Sequence, residues 1–178
     1  RGGYPEGPGY WSYGTTYNVV LIGLLEGALG SDFGLSQAPG FDHTGQYPNL
    51  ATGPSGWYFN YADGSARRKP EPALFWFAER YDRPDWLWGE AGRVRAAVQR
   101  IDRRSAEEAS HYLLPLALLW MDPIEEPPQI TMPLHWFSGS RTPVAMHRSS
   151  WTDPNAVYLG FKGGSPSVLG TTVSLPMD

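Results

Sequence analysis

The residues best suited to chemistry stand together at the start of the chain, in Gly2-Gly3-Tyr4-Pro5-Glu6-Gly7-Pro8-Gly9-Tyr10-Trp11-Ser12-Tyr13-Gly14. Three tyrosines, one carboxylate and a tryptophan share this stretch with five glycines and two prolines. Glycine and proline favour an irregular backbone, so the composition predicts a loop that displays its rings at the mouth of a following helix. Flat aromatic faces with hydroxyls and a carboxylate match a sugar ring, and a tyrosine can carry a proton. Tyr10 and Tyr13 lie three apart where the loop passes into helix, which puts them on one face. A phenol of pKa about 10 needs nearby positive charge, or hydrogen bonds to its phenolate, before it serves as a base. The alternative is that these rings pack and cap the helix.

Other candidates are weaker. Glu6 is a lone carboxylate, and a glycosidase needs a second one across the cleft. Asp63 is available for that role, although Asp63-Gly64 reads equally well as a turn. The tyrosine and tryptophan rich run Trp57-Tyr58-Phe59-Asn60-Tyr61 precedes it and offers Tyr61 as a further substrate contact. His43 beside Asp42 has the context of an active-site histidine, whereas His111 reads as packing on an amphipathic helix. His147 and Arg148 are neighbours in an expected strand, so alternation places them on opposite faces. Either one is able to meet an anionic sugar or simply to line a sheet. Arg67-Arg68-Lys69 reads as a solvated turn in preference to a polyanion patch. The four histidines lack metal-ligand spacing and cysteine is absent, so no metal or cofactor is expected within this chain. Neither a nucleophile elbow nor a phosphate-binding loop occurs.

The elements that must position these groups follow from periodicity. Tyr17, Val20, Leu21, Leu24, Leu25 and Ala28 recur at helical spacing, and Val19 and Ile22 add apolar faces, so this helix is expected to be enclosed on most sides. Gly30 ends it. Proline and glycine punctuate residues 32–68, which predicts long loops with short helical turns. A second helix is expected from Pro70 or Pro72 with Leu74, Phe77, Ala78 and Tyr81 on one face. A third carries Val94, Ala97, Val98 and Ile101, with Arg93, Arg95 and Arg100 towards water. Ser105-Ala106-Glu107-Glu108 has capping-box spacing for a fourth, and Pro115 interrupts or restarts it. Beyond the acidic, proline-rich stretch Ile124–Pro128, residues 144–151 and 156–162 alternate about Thr152-Asp153-Pro154-Asn155, a β-hairpin.

The class is therefore α+β, with a helical region over 1–123 and a linker plus the start of an antiparallel β-domain over 124–178. At 178 residues the chain is long enough to bury a core. Its net charge of −4 provides no basic footprint for nucleic acid. The apolar stretch around Val19–Leu25 is too short to span a membrane. The aromatic content of 14% supplies either a large aromatic core or sugar-stacking surfaces. With no charged-then-apolar leader, the chain reads as an interior piece of a longer protein.

Four motifs in order, Gly3-Tyr4-Pro5-Glu6-Gly7-Pro8-Gly9-Tyr10-Trp11-Ser12-Tyr13, Tyr58–Gly64, Leu116–Pro123, and Arg148-Ser149-Ser150-Trp151 through Gly160–Gly164, resemble the heparinase II/III-like polysaccharide lyases. The resemblance implies an incomplete (α/α) toroid followed by an antiparallel β-sandwich. It also implies β-elimination on a uronic-acid polysaccharide such as a glycosaminoglycan or alginate, by a periplasmic or secreted parent protein. In this reading Tyr10 is the catalytic tyrosine, and Tyr4, Glu6, Trp11, Tyr13, Tyr61, His147 and Arg148 contact substrate. The family's carboxylate-neutralising histidine or asparagine lies upstream of the tyrosine motif. Its histidine-rich segment, with any structural or catalytic metal, follows the Lys-Gly-Gly strand. Here residues 165–172 stand in that place, with no histidine after His147. The chain alone is therefore expected to be inactive.

Overall fold

A computed structural model describes residues 2–62, 64–101, 113–121, 129–139 and 142–164. Helix α1 runs over Gly7–Leu29, so it begins inside the tyrosine motif and not after it. The expected display loop is confined to residues 2–6. Pro8 explains the difference: in a first turn its missing N–H has no partner to lose, and its fixed φ is already helical. Gly7 adopts φ 85 directly under the Tyr61 carbonyl, where a Cβ would come within 2.5 Å of the oxygen. The helix closes at Gly30, left-handed at φ 73, with its N–H on the Glu26 carbonyl, as the sequence predicts.

The face that α1 buries is not the expected one. Trp11, Thr15, Val19 and Ile22 are buried, whereas Tyr17, Leu21 and Leu24 are exposed. The sequence carries two apolar stripes, and the one holding the larger ring and the small threonines goes inward. Trp11 packs 6.2 Å from Phe77, and its indole N–H donates to Thr44 Oγ1 at 2.7 Å. Thr44 in turn donates to the Gly2 carbonyl at 2.8 Å, which ties the start of the chain to the core. The outer stripe of α1 is left without cover among the described residues.

Two short helices, α2 (Phe41–Thr44) and α3 (Tyr47–Leu50), supply the helical turns expected in the long loop region. Isolated bridges Thr52↔Tyr58 and Trp57↔Arg67 hold the loop that follows. Helix α4 (Ala73–Arg80) is the centre of the core, buried continuously from Ala73 to Ala78. Its Phe77 meets Trp11, Phe41, Tyr81 and Trp86. Gly45 sits against this cluster, and a Cβ there would fall 2.4 Å from the Trp86 ring. Gly45→Ala is therefore expected to destabilise the fold by about 1–3 kcal/mol through overpacking, read as a lower urea midpoint; an unchanged midpoint would contradict this packing.

Helix α5 (Glu90–Ile101) and the short α6 (Ala117–Trp120) complete the α-helices among the described residues. On α5, Ala97 is buried and Val98 is exposed, and Arg93 turns inward instead of facing water. The helix expected from Ser105, with His111, the linker over 124–128 and Asp63 lie outside the described residues.

Strands β1 (His135–Ser138), β2 (Val144–Arg148) and β3 (Tyr158–Lys162) form one antiparallel sheet in that order. The β2–β3 hairpin is the expected one, with Arg148 opposite Tyr158. β1 was not expected, because four residues flanked by proline, glycine and serine carry too little alternation to register as a strand. The inner face presents Ser138, Val144, Met146 and Arg148, all buried, and merges with the helical core. The outer face presents Phe137, Leu159 and Phe161, all exposed. Mixed helix and a small antiparallel sheet thus meet the α+β expectation. None of the described helices is long and apolar enough to cross a membrane.

Candidate functional site

The N-terminal motif becomes a surface built on the first turns of α1. Glu6 is the residue preceding the helix; it is exposed and its side chain makes no capping hydrogen bond. Tyr10 and Tyr13 follow on the same face, 43% and 68% exposed, and Tyr13 meets Tyr17 edge-on at 5.1 Å. The helical spacing, and not a loop, is what aligns these three phenols. Tyr4 lies across the helix at Gly14, where a Cβ would come 2.7 Å from its hydroxyl. Partial burial, reinforced by the Glu6 carboxylate, pushes the Tyr4 phenol up. Gly3 rests on the inner face of β1, close to Ser138 and Trp136, so the entrance to α1 and the sheet are neighbours.

Three residues expected to contact substrate, Trp11, Tyr61 and Arg148, are buried. Trp11 is 0% exposed and committed to Thr44. Tyr61 is buried: its hydroxyl donates to the Tyr4 carbonyl at 2.6 Å and shares a very short hydrogen bond with Tyr47. Burial pushes the Tyr61 phenol up to about 12, which removes it as a proton carrier near neutrality. Arg148 is buried, with Nη2 donating to the carbonyls of Asn49, Leu50 and Thr52 at 3.2, 3.5 and 2.5 Å. Carbonyls at the end of α3 carry partial negative charge, and the guanidinium completes them. The ring of Trp151 stacks on it at 3.5 Å. His147 points the other way and meets His135 with Nδ1 atoms 3.2 Å apart. His43 is exposed beside Asp42 at 3.6 Å. No group of three or more ligating side chains suited to a metal occurs among the described residues.

A buried polar network underlies this region, and sequence reasoning missed it. Arg68, expected in a solvated turn, is buried and donates to Glu90 at 2.8 Å and to Asn49 and Thr52 at 2.9 Å. Glu90 also receives Arg93 at 3.2 Å and the Glu71 amide at 2.5 Å. Tyr58 donates to Glu71 at 2.9 Å, and the other Glu71 oxygen has no hydrogen-bond partner. The residue types alone announce little here, since each is ordinary in a turn or on a helix surface. The only signal in the sequence was an arginine just ahead of Pro70-Glu71-Pro72.

Burial pushes the Glu71 carboxyl up from 4.5 to about 7, the Ser12 hydroxyl pulling it back and the Glu90 carboxylate raising it further. The folded state therefore holds this proton more tightly than the unfolded state does. Its contribution to stability is fully present below pH about 4.5 and is lost as pH rises through about 7. The loss across that window is on the order of 3 kcal/mol. Glu71→Gln is expected to flatten this slope and to be the more stable protein at pH about 8; parallel pH–stability curves for the two proteins would contradict it.

Two cavities open beside this network. One, of about 480 Å³, is a shallow trough between residues 53–59 and β3, lined by Trp57, Phe59, Tyr158 and Leu159. Trp57 is 63% exposed there. The other, of about 120 Å³, is lined by Arg68, Arg93, Arg148, Trp88 and Trp151. Gly53 and Pro54 belong to both.

No protein-family model matches the chain, and a search of curated proteins finds no similar sequence.

Proposed function

We propose that the chain belongs to a lyase that cleaves uronic-acid polysaccharides by β-elimination, with Tyr10 as the proton carrier. The observation that carries this reading is the placement of Tyr10 on the first turns of α1, open to solvent and flanked by Glu6 and Tyr13. In β-elimination the proton at C5, beside the carboxylate, is removed and the C4–O bond breaks to leave an unsaturated sugar. An ionised carboxylate makes that proton a poor acid, so the site must neutralise it while a base acts. A single phenol can take the proton as phenolate and return one to the leaving oxygen. Glu6 and Tyr13 would line the sugar subsite, with Tyr4 supporting it from beneath.

Two uncovered apolar surfaces support the architecture in this proposal. The outward stripe of α1, Tyr17, Leu21 and Leu24, suits a toroid helix that meets further helices. The exposed outer face of the sheet, Phe137, Leu159 and Phe161, suits one layer of a sandwich. The resemblance would place the catalytic carboxylate-neutralising group and a histidine-rich segment outside these residues, and on that reading the chain by itself does not turn over substrate.

The test is to incubate this chain and a version extended on both sides with heparan sulfate, chondroitin and alginate, following the absorbance of the unsaturated uronate. Product from the extended protein alone is the expected result. Reducing ends without a double bond would replace the lyase by a glycoside hydrolase. The exposed Trp57 beside the trough favours a second reading, a glycan-binding protein without catalysis; it predicts binding and no product from either protein.

A further inference from the structure

The smaller cavity has an unbalanced charge. Arg68, Arg93 and Arg148 all line it, against Glu90, which accepts from Arg68 and Arg93, and the nearby Glu71, whose carboxyl burial pushes up to about 7. Among the described residues, Arg148 donates to backbone carbonyls and lies against the rings of Trp151 and Tyr158. Burial pulls Arg148 down to about 10, with Arg68 adding to the effect. Burial likewise pulls Arg93 down, again with Arg68 contributing. The Nε of Arg68 is buried and has no hydrogen-bond partner. Uncompensated buried cations are costly, and a guanidinium fork matches the two oxygens of a carboxylate or sulfate.

We propose that this cavity binds the carboxylate or sulfate of an acidic sugar, with the adjoining trough seating the neighbouring ring on Trp57. The inference deepens the glycan reading above and rests on it for the identity of the ligand. The volume of about 120 Å³ accepts an oxyanion, while the trough of about 480 Å³ has the space and the aromatic lining for a ring. The shared rim at Gly53 and Pro54 places the two within one ligand's reach. Trp88 and Trp151 give the anion pocket low-dielectric walls, which strengthen its attraction for charge.

The experiment is calorimetric titration of this chain with glucuronate, sodium sulfate and glucose at constant ionic strength, with thermal unfolding as a second readout. Glucuronate or sulfate is expected to bind and to raise the melting temperature, and glucose to do neither. The tighter of the two anions identifies the group the pocket selects. Arg93→Gln should weaken anion binding about tenfold or more by removing one charged donor. Pro54→Glu places a carboxylate on the exposed rim without touching the network and should weaken it similarly, which covers the case in which Arg93→Gln fails to fold. Equal affinity for glucose, undiminished anion binding by Pro54→Glu, or no anion binding by the wild type would overturn the proposal. None of these readouts requires turnover. Anion binding here without unsaturated product from the extended protein would keep the pocket and discard the lyase, and the converse would discard the pocket alone.

Discussion

Arg68→Ala is expected to cost about 3–5 kcal/mol, a large part of the 5–15 kcal/mol by which a domain of this size is usually stable. The substitution leaves Glu90 fully buried with its main cation gone, and strips donors from Pro48, Asn49 and Thr52 at once. An unpaired buried carboxylate either stays charged at high cost or takes up a proton, and both outcomes weaken the fold. Arg68→Lys should recover only part of the loss, because a single ammonium cannot reach the four acceptors that the planar fork spans. Urea denaturation followed by circular dichroism measures both variants. An unfolding free energy for Arg68→Ala within about 1 kcal/mol of wild type would show that the network is not the support described here.

Tyr10→Phe removes one oxygen from a ring 43% exposed, so the fold should be unaffected. In the extended protein, elimination should fall by about 10²–10⁴, the usual contribution of a positioned acid–base group. Binding of the polysaccharide should change little, because stacking needs the ring and not the hydroxyl. The diagnostic is this split between rate and binding. A variant that retains most of the rate would transfer the proton to another group, and Tyr13 is the next exposed phenol on the same face.

Much of the fold was legible in the sequence. The end of α1 at Gly30, the buried run of α4 and the β2–β3 hairpin follow from a left-handed cap, a continuous apolar stretch and strong turn chemistry. The start and orientation of α1 were not legible. Pro8 permits a helix as readily as it breaks one, and two apolar stripes compete for the core. Only the tertiary partner of Trp11, the Phe77 cluster, decides between them. The same limit applies to function. That Tyr10 and Tyr13 share a face can be read from their spacing. That Trp11, Tyr61 and Arg148 turn inward depends on groups tens of residues away. Arg68 was the least legible, because its role comes from Glu90 and Asn49 and not from its basic neighbours.

The joint between Arg148 and the end of α3 carries a kinetic consequence. Its hydrogen bonds close loops of 96 to 99 residues, and the bond from Tyr158 to the Leu50 carbonyl closes one of 108. On the ribosome, α3 emerges about a hundred residues before the strand that completes it, so its last carbonyls face water until that strand is made. Contacts this distant along the chain slow the final step of folding. The helical segment must therefore wait, unfinished, for a sheet made about a hundred residues later.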